Sequence, residues 1–302
     1  MNQGWLYREQ VKRVDAGVSV LDYYARRYRH SSREEWQERI TSGQVLLNGC
    51  RVTVDTCLQP GQWLTYERPP WEEPDVPLSF DVLHEDVDLL IVAKPAGLPV
   101  LPGGGFLEHT LLRQLQRRYP QDTPVPIHRL GRGTSGLMLM ARSPLARAKL
   151  SEQMRDRHIR KTYRALVGAG TMPDRFTITH PIGKIPHPVL DYVYGATPDG
   201  LFAHSECQVL KRSPSTTLLD VTILTGRPHQ IRIHLAVAGY PLVGDPLYQV
   251  GGIPRIQSTV EAGKLPVPGD CGYHLHAHRL SFCHPGTGQP MNVICPAPEA
   301  LN

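Results

Sequence analysis

No apolar run in this 302-residue chain is long enough to cross a bilayer. Its longer ones, such as Leu89 to Ala93 and Leu137 to Ala141, fall far short of the roughly 20 residues that a spanning helix needs. Cysteine is sparse, and its pattern is not that of a framework. The six cysteines (Cys50, Cys57, Cys207, Cys271, Cys283, Cys295) are scattered, with no C-x-x-C pair among them. Neither a secretory leader nor an Arg-rich targeting helix opens the chain, so free thiols in a reducing cytoplasm are the expected setting. Long helices are also discouraged, because 28 Pro and 27 Gly punctuate the sequence and favour strands and turns.

Acid is scarce in one place. Between His128 and Arg164 stand ten basic residues (Arg129, Arg132, Arg142, Arg147, Lys149, Arg155, Arg157, Arg160, Lys161, Arg164) against Glu152 and Asp156, so this stretch carries +8 where the whole chain carries +5. Such clustering around glycine-rich turns is the footprint of a polyanion-binding surface, since neutralising phosphates releases counterions. The plain alternative is a solvated basic helix face.

The length predicts a small domain beside a larger one. Residues 1–75 read as the small one. Ser19 and Ser32 open helical stretches to Tyr28 and Ser42, and Ser32 with Glu35 has the spacing of a capping box. Extended runs at Val45–Leu47 and Arg51–Val54 flank Asn48-Gly49, a strong hairpin signal, and Trp63–Tyr66 follows. The Pro- and acid-rich stretch from Arg68 to Pro77 reads as a linker, leaving 76–302 as the larger domain. Within it, Leu89–Ala93, Gly136–Ala141, Tyr163–Val167 and Thr217–Leu224 read as strands. Ser143-Pro144 caps a helix with Ala146, Leu150 and Met154 on one face.

The richest segment is His128-Arg129-Leu130-Gly131-Arg132-Gly133-Thr134-Ser135-Gly136-Leu137. Its G-x-G-x-x-G is not a dinucleotide fingerprint, because Gly136 leads into a strand and no acidic residue follows at the required distance. His274, His276 and His278 alternate on one strand face but fit no common zinc spacing, so they are read as structural. His229 and His234 are read as backbone anchors, and Asp245, before Pro246, as a turn cap.

The His128 segment resembles the signature loop of RluA-type pseudouridine synthases, His-Arg-Leu-Asp, two variable residues, then Thr-Ser-Gly. Further segments resemble the same family in order: Val82–Gly97, Arg160–Ala165, Thr225–Leu235 with Pro241–Asp245, and Leu275–Phe282. Residues Gly17–Arg68 resemble the small αL RNA-binding domain, with Arg26, Arg27 and Arg33 toward RNA.

The resemblance implies an α+β fold with a mainly antiparallel mixed sheet and a small N-terminal α/β RNA-binding domain. It also implies isomerisation of uridine to pseudouridine in ribosomal or transfer RNA by base flipping, with no metal or cofactor; a monomer is expected. By matching position, Tyr163 stacks on the flipped base, Arg232 pairs the nucleophilic carboxylate, and Arg129 fills the gap left in the RNA. Arg132 and Lys161 add RNA contacts.

The carboxylate position, however, is Gly131, and no residue from Pro124 to Leu150 is acidic. Loss of a principal nucleophile costs about 4 kcal/mol or more in barrier. Either another acid, such as Asp86, Asp245 or Glu206, serves the site, or the chain is a catalytically silent RNA binder on the same fold. Arg232 is therefore expected to find a substitute acid or to face an open cleft.

Overall fold

Side-chain caps start the helices where the sequence places them. In the computed structural model, which describes residues 1–187, 190–255 and 268–302, α1 (Val20–Arg27) begins with the Ser19 hydroxyl accepting from Asp22 N. The Ser32–Glu35 capping box is formed at the start of α2 (Arg33–Thr41). Two units make up the chain: Met1–Glu73 with the segment His187–Tyr192, and Pro74–Pro186 with Val193–Asn302.

The first unit packs α1 and α2 on a four-stranded antiparallel sheet of β1 (Trp5–Gln10), β2 (Val45–Leu47), β3 (Cys50–Arg51) and β4 (Trp63–Arg68), in the order β1-β4-β2-β3. Asn48 and Gly49 take φ of 52° and 83°, the left-handed pair that a two-residue hairpin turn requires. One expectation is corrected here: the extended run after the turn ends at Arg51 rather than Val54. Strand β1 has no local signal of its own, because its partner β4 lies far along the chain. Tyr24, Trp36, Leu64 and Tyr66 form the centre of this unit's core.

The second unit is built on a mixed sheet. Its strands are β5 (Asp81–Glu85), β6 (Leu89–Lys94), β7 (Val125–Pro126), β8 (Ser135–Ala141), β9 (Arg160–Gly168), β10 (Arg175–Ile178), β13 (Ser205–Arg212), β14 (Thr216–Ile223), β15 (Leu275–Cys283) and β16 (Pro290–Ile294). The order is β10-β13-β14-β9-β15-β8-β6-β5, with β16 on β15 and β7 on β8. A separate ribbon pairs β11 (Ile182–His187) with β12 (Asp191–Ala196). Helices α3 (Leu111–Arg118), α4 (Pro144–Arg155) and α5 (Gln230–Val237) complete the unit. Ser143 caps α4, and Ala146 and Leu150 are fully buried from it.

One pairing positions the site. Strands β8 and β15 run parallel, with Gly136 beside Ala277, while their other neighbours are antiparallel. A Cβ on Gly136 would lie 2.3 Å from Ala277 O, and its φ is 103°, so only glycine admits this approach. Because the two strands are parallel, the loops that precede them, 128–134 and 268–274, emerge at the same end of the sheet. His276 and His278 both bond Cys295 O, and His276 also meets Ser135 Oγ.

Candidate active site

At that end of the sheet, the register aligns the strand residues of three motifs. Ala277 pairs with Gly136 on one side and with Tyr163 on the other, and Tyr163 pairs in turn with Val221. Strand alternation puts Lys161 and Tyr163 on one face and Arg160, Thr162 and Arg164 on the other. The Tyr163 ring lies in the core, and burial pushes its hydroxyl pKa well up. Buried tyrosines normally find a partner for the hydroxyl; Tyr163 Oη bonds to nothing among the described residues. Lys161 reaches Met154 Sδ at 3.5 Å, comes close enough to His128 to disfavour a charge there, and lies beside Gly226.

The signature loop is tied down from beneath. Thr134 N donates to Gly131 O at 3.1 Å, which closes a tight turn, and Gly97 N donates to Arg132 O. Lys94, only 1% exposed, donates to Pro95 O (2.8 Å), Leu98 O (2.8 Å) and Arg132 O (3.2 Å). Burial lowers its pKa to about 7, while three carbonyl dipoles oppose the loss of its proton. Replacing it by methionine leaves buried carbonyl oxygens without a donor, so Lys94→Met is expected to cost about 2–3 kcal/mol and to loosen the loop. Urea unfolding measures the first effect, and proteolysis within 128–135 the second.

Arg232 finds its acid in Asp245. Nε and Nη2 donate to Oδ2 and Oδ1, each at 2.7 Å, with the side chains 3% and 1% exposed. Asp245 is also the turn cap that its neighbour Pro246 suggested, since Oδ1 accepts from Leu247 N and Tyr248 N. The guanidinium lies against the ring of Tyr248 at 5.0 Å and that of Tyr273 at 4.2 Å, and Nη1 reaches Pro268 O. Burial opposes the charge, but the carboxylate bonds outweigh it and raise the arginine's pKa. This pair is therefore a closed structural unit.

His229, at φ 55°, holds Tyr248 Oη at 2.8 Å; that hydroxyl gives its own proton to Tyr194 O, so Nδ1 of His229 is the donor. Burial, together with the cations Arg232 and Arg129, lowers the His229 pKa to about 4. His234 anchors the backbone at His180 O.

The basic stretch divides once it is folded. Arg142 pairs with Glu85, Arg155 with Glu152 and Asp156, Arg160 with Glu206, and Arg164 with Asp220. Arg129, Arg132, Arg147, Lys149, Arg157 and Lys161 form no ion pair among the described residues. Arg132 is braced by Gly269 O and the Phe106 ring.

Of the other candidate acids, Glu206 lies opposite Thr222 on the Thr162 face, which bears an open polar basin of about 700 Å³ lined by Arg160, Asp220 and Arg279. Asp86 is held by His84 Nε2 at 2.6 Å and His284 Nε2 at 3.0 Å. These three could be grouped as metal ligands. However, His284 Nδ1 accepts from Gly286 N and Thr287 N, so Nε2 carries the proton and offers no lone pair. In the first unit, Arg33 is held by Asp22 and Arg27 by Glu9, while Arg26 is exposed and forms no ion pair among the described residues.

The site thus joins a buried aromatic ring, whose hydroxyl bonds to nothing among the described residues, to a signature loop whose arginines have no acidic partner there, a combination suited to the class of protein that handles an extrahelical base of RNA. Comparison with known proteins makes the class specific. The family model described as RNA pseudouridylate synthase matches residues 88–237. An RNA pseudouridine synthase of Synechocystis sp., itself termed uncharacterized, is 50% identical over 93% of this chain and 95% of its own length. RNA pseudouridine synthase 5 of Oryza sativa subsp. japonica is 41% identical over 99% and 88%. Ribosomal large subunit pseudouridine synthase D of Xanthomonas campestris pv. campestris is 34% identical over 96% and 87%. The solved human RNA pseudouridylate synthase domain containing 1 shares the fold, with a TM-score of 0.56 at 23% identity over 76% of this chain and 89% of that one. The chain belongs to the RNA pseudouridine synthases, enzymes that isomerise uridine in RNA. The catalytically silent alternative gains no support over this reading.

Proposed function

We propose that the enzyme acts as a monomer on a uridine in structured ribosomal or transfer RNA, flipped out of its stack and received on the Tyr163 face of the sheet. The observation that carries this reading is the Tyr163 hydroxyl, which sits at the end of a buried ring and has no hydrogen-bond partner among the described residues. Lys161, on the same strand face, and Arg132 of the signature loop supply charge for RNA phosphates, and Arg129 fills the gap left by the flipped nucleotide. The first unit, an αL-type RNA-binding domain over Gly17–Arg68 in this reading, adds Arg26, Arg27 and Arg33 on α1 and α2. Arg27 and Arg33 exchange their present carboxylate partners for phosphate. Arg232, locked to Asp245, supports the pocket from behind.

In the product, C5 of the base is bonded to ribose C1′, so the hydrogen on C5 must leave. RNA transcripts carrying tritium at uridine C5 therefore report turnover as released tritium. Wild-type protein is expected to release it, and Tyr163→Phe, which keeps the core filled, to lose at least about 10²-fold in rate with RNA affinity little changed in filter binding. Tight RNA binding by a wild type that releases no tritium would instead establish the silent binder.

A further inference from the structure

The place beside Gly131 is not empty. A Cβ built on Gly131 would lie 2.9 Å from Tyr273 Oη and 3.5 Å from Thr134 Oγ1, and a Cβ on Gly133 would lie 2.9 Å from Tyr273 Cε1 and Cζ. Distances under about 3 Å are not tolerated, so neither position has room for a side chain while the Tyr273 ring is there. The phenol is also held elsewhere: Oη is 3.3 Å from Thr134 Oγ1, and the ring covers the Arg232 guanidinium at 4.2 Å. The backbone leading to Tyr273 is drawn against the Asp245 turn, where a Cβ on Gly244 would meet Gly272 O at 2.2 Å. Gly131, Gly133 and Tyr273 are thus one complementary set. The phenol oxygen, 2.9 Å from that Cβ, lies in the space that an aspartate's carboxyl group would occupy.

We propose that the Tyr273 hydroxyl takes the place of the side chain absent at residue 131 and is the oxygen this site presents to the sugar and base of the flipped uridine. The proposal rests on the functional reading above and names a further catalytic residue within it. Thr134 Oγ1 orients the hydroxyl, and burial raises the phenol's pKa, so it keeps its proton, serves the substrate as a hydrogen-bond donor and forms no covalent bond to it. The substitution is not reversible at one position: an aspartate restored at 131 collides with the phenol.

Two measurements test the proposal. The first is thermal melting, which needs no turnover. Gly131→Asp is expected to lower the melting temperature by about 5 °C, and Tyr273→Ala in the same chain to remove most of that increment. Tyr273→Phe is expected to melt as wild type. An unchanged melting temperature in Gly131→Asp overturns the placement. The second is tritium release. Tyr273→Phe is expected to lower kcat about a hundredfold with KM and RNA affinity within threefold, a split that lost packing would not give. A Tyr273→Phe enzyme at the wild-type rate overturns the catalytic role. A wild type without release overturns the functional reading and this role together, while the melting result stands by itself.

Discussion

Taking the protein from pH 7 to pH 5 is expected to remove on the order of 5 kcal/mol of stability, because three histidines are built in as neutral groups. His128 Nε2 accepts from Leu139 N at 3.2 Å, and burial with the Lys161 cation nearby lowers its pKa to about 3. His234 donates from Nε2 to His180 O and accepts at Nδ1 from Ser205 Oγ; burial lowers its pKa to about 4. A proton on Nδ1 would take away the acceptor of the Ser205 hydroxyl's own proton, whose oxygen already receives Gln230 Nε2. His229, with its Nδ1 proton given to Tyr248, also lies at about 4.

In the unfolded chain each imidazole titrates near its ordinary 6.5. Below that pH the unfolded state takes up protons that the folded state refuses. Stability is therefore full above about 6.5 and falls until the folded values near 3–4 are reached. Set against a typical total of about 5–15 kcal/mol, the loss brings the protein close to its unfolding midpoint at pH 5. Guanidinium denaturation at half-unit pH steps measures it, and a flat free energy from pH 7 to 5 would show that these imidazoles are charged in the fold.

Asp245→Asn is expected to destabilise the protein by about 3–5 kcal/mol, and Arg232→Met by a similar amount, because each leaves the other charge buried and uncompensated. For a chain of this size that is roughly a 10 °C fall in melting temperature. Asp245→Asn also weakens the caps on Leu247 N and Tyr248 N, and Arg232→Met removes the cation between Tyr248 and Tyr273. Arg232→Lys falls between, since an ammonium cannot make both parallel bonds. The double variant Arg232→Met with Asp245→Asn is expected to be less destabilised than the sum of the singles, the signature of a coupled pair. Additive losses in that cycle would refute the pairing. An inactive Arg232→Ala thus reports on folding before it reports on chemistry, which makes Tyr163→Phe and Tyr273→Phe the informative variants.

Much of this was legible in the chain because the signals are local. Ser19, Ser32 and Ser143 cap helices through amides only three residues on, and Asn48-Gly49 makes its turn within itself. The ordered motifs gave the family and the sheet class, because each is a contiguous run around one strand or loop. The sequence also determined that residue 131 brings no carboxylate and that Arg232 needs another partner.

What answered each vacancy was decided by tertiary structure. Asp245 is thirteen residues from Arg232 and read as a turn cap; that it serves both purposes follows from α5 and the turn facing one another. Tyr273 gave no sign at all. It lies 139 positions from Thr134, outside every motif, and reaches Gly131 only because β8 and β15 run parallel and deliver their leading loops to the same end of the sheet. Spacing along a chain records contacts that recur every few residues, whereas a glycine and the distant ring that fills its space are joined by packing alone.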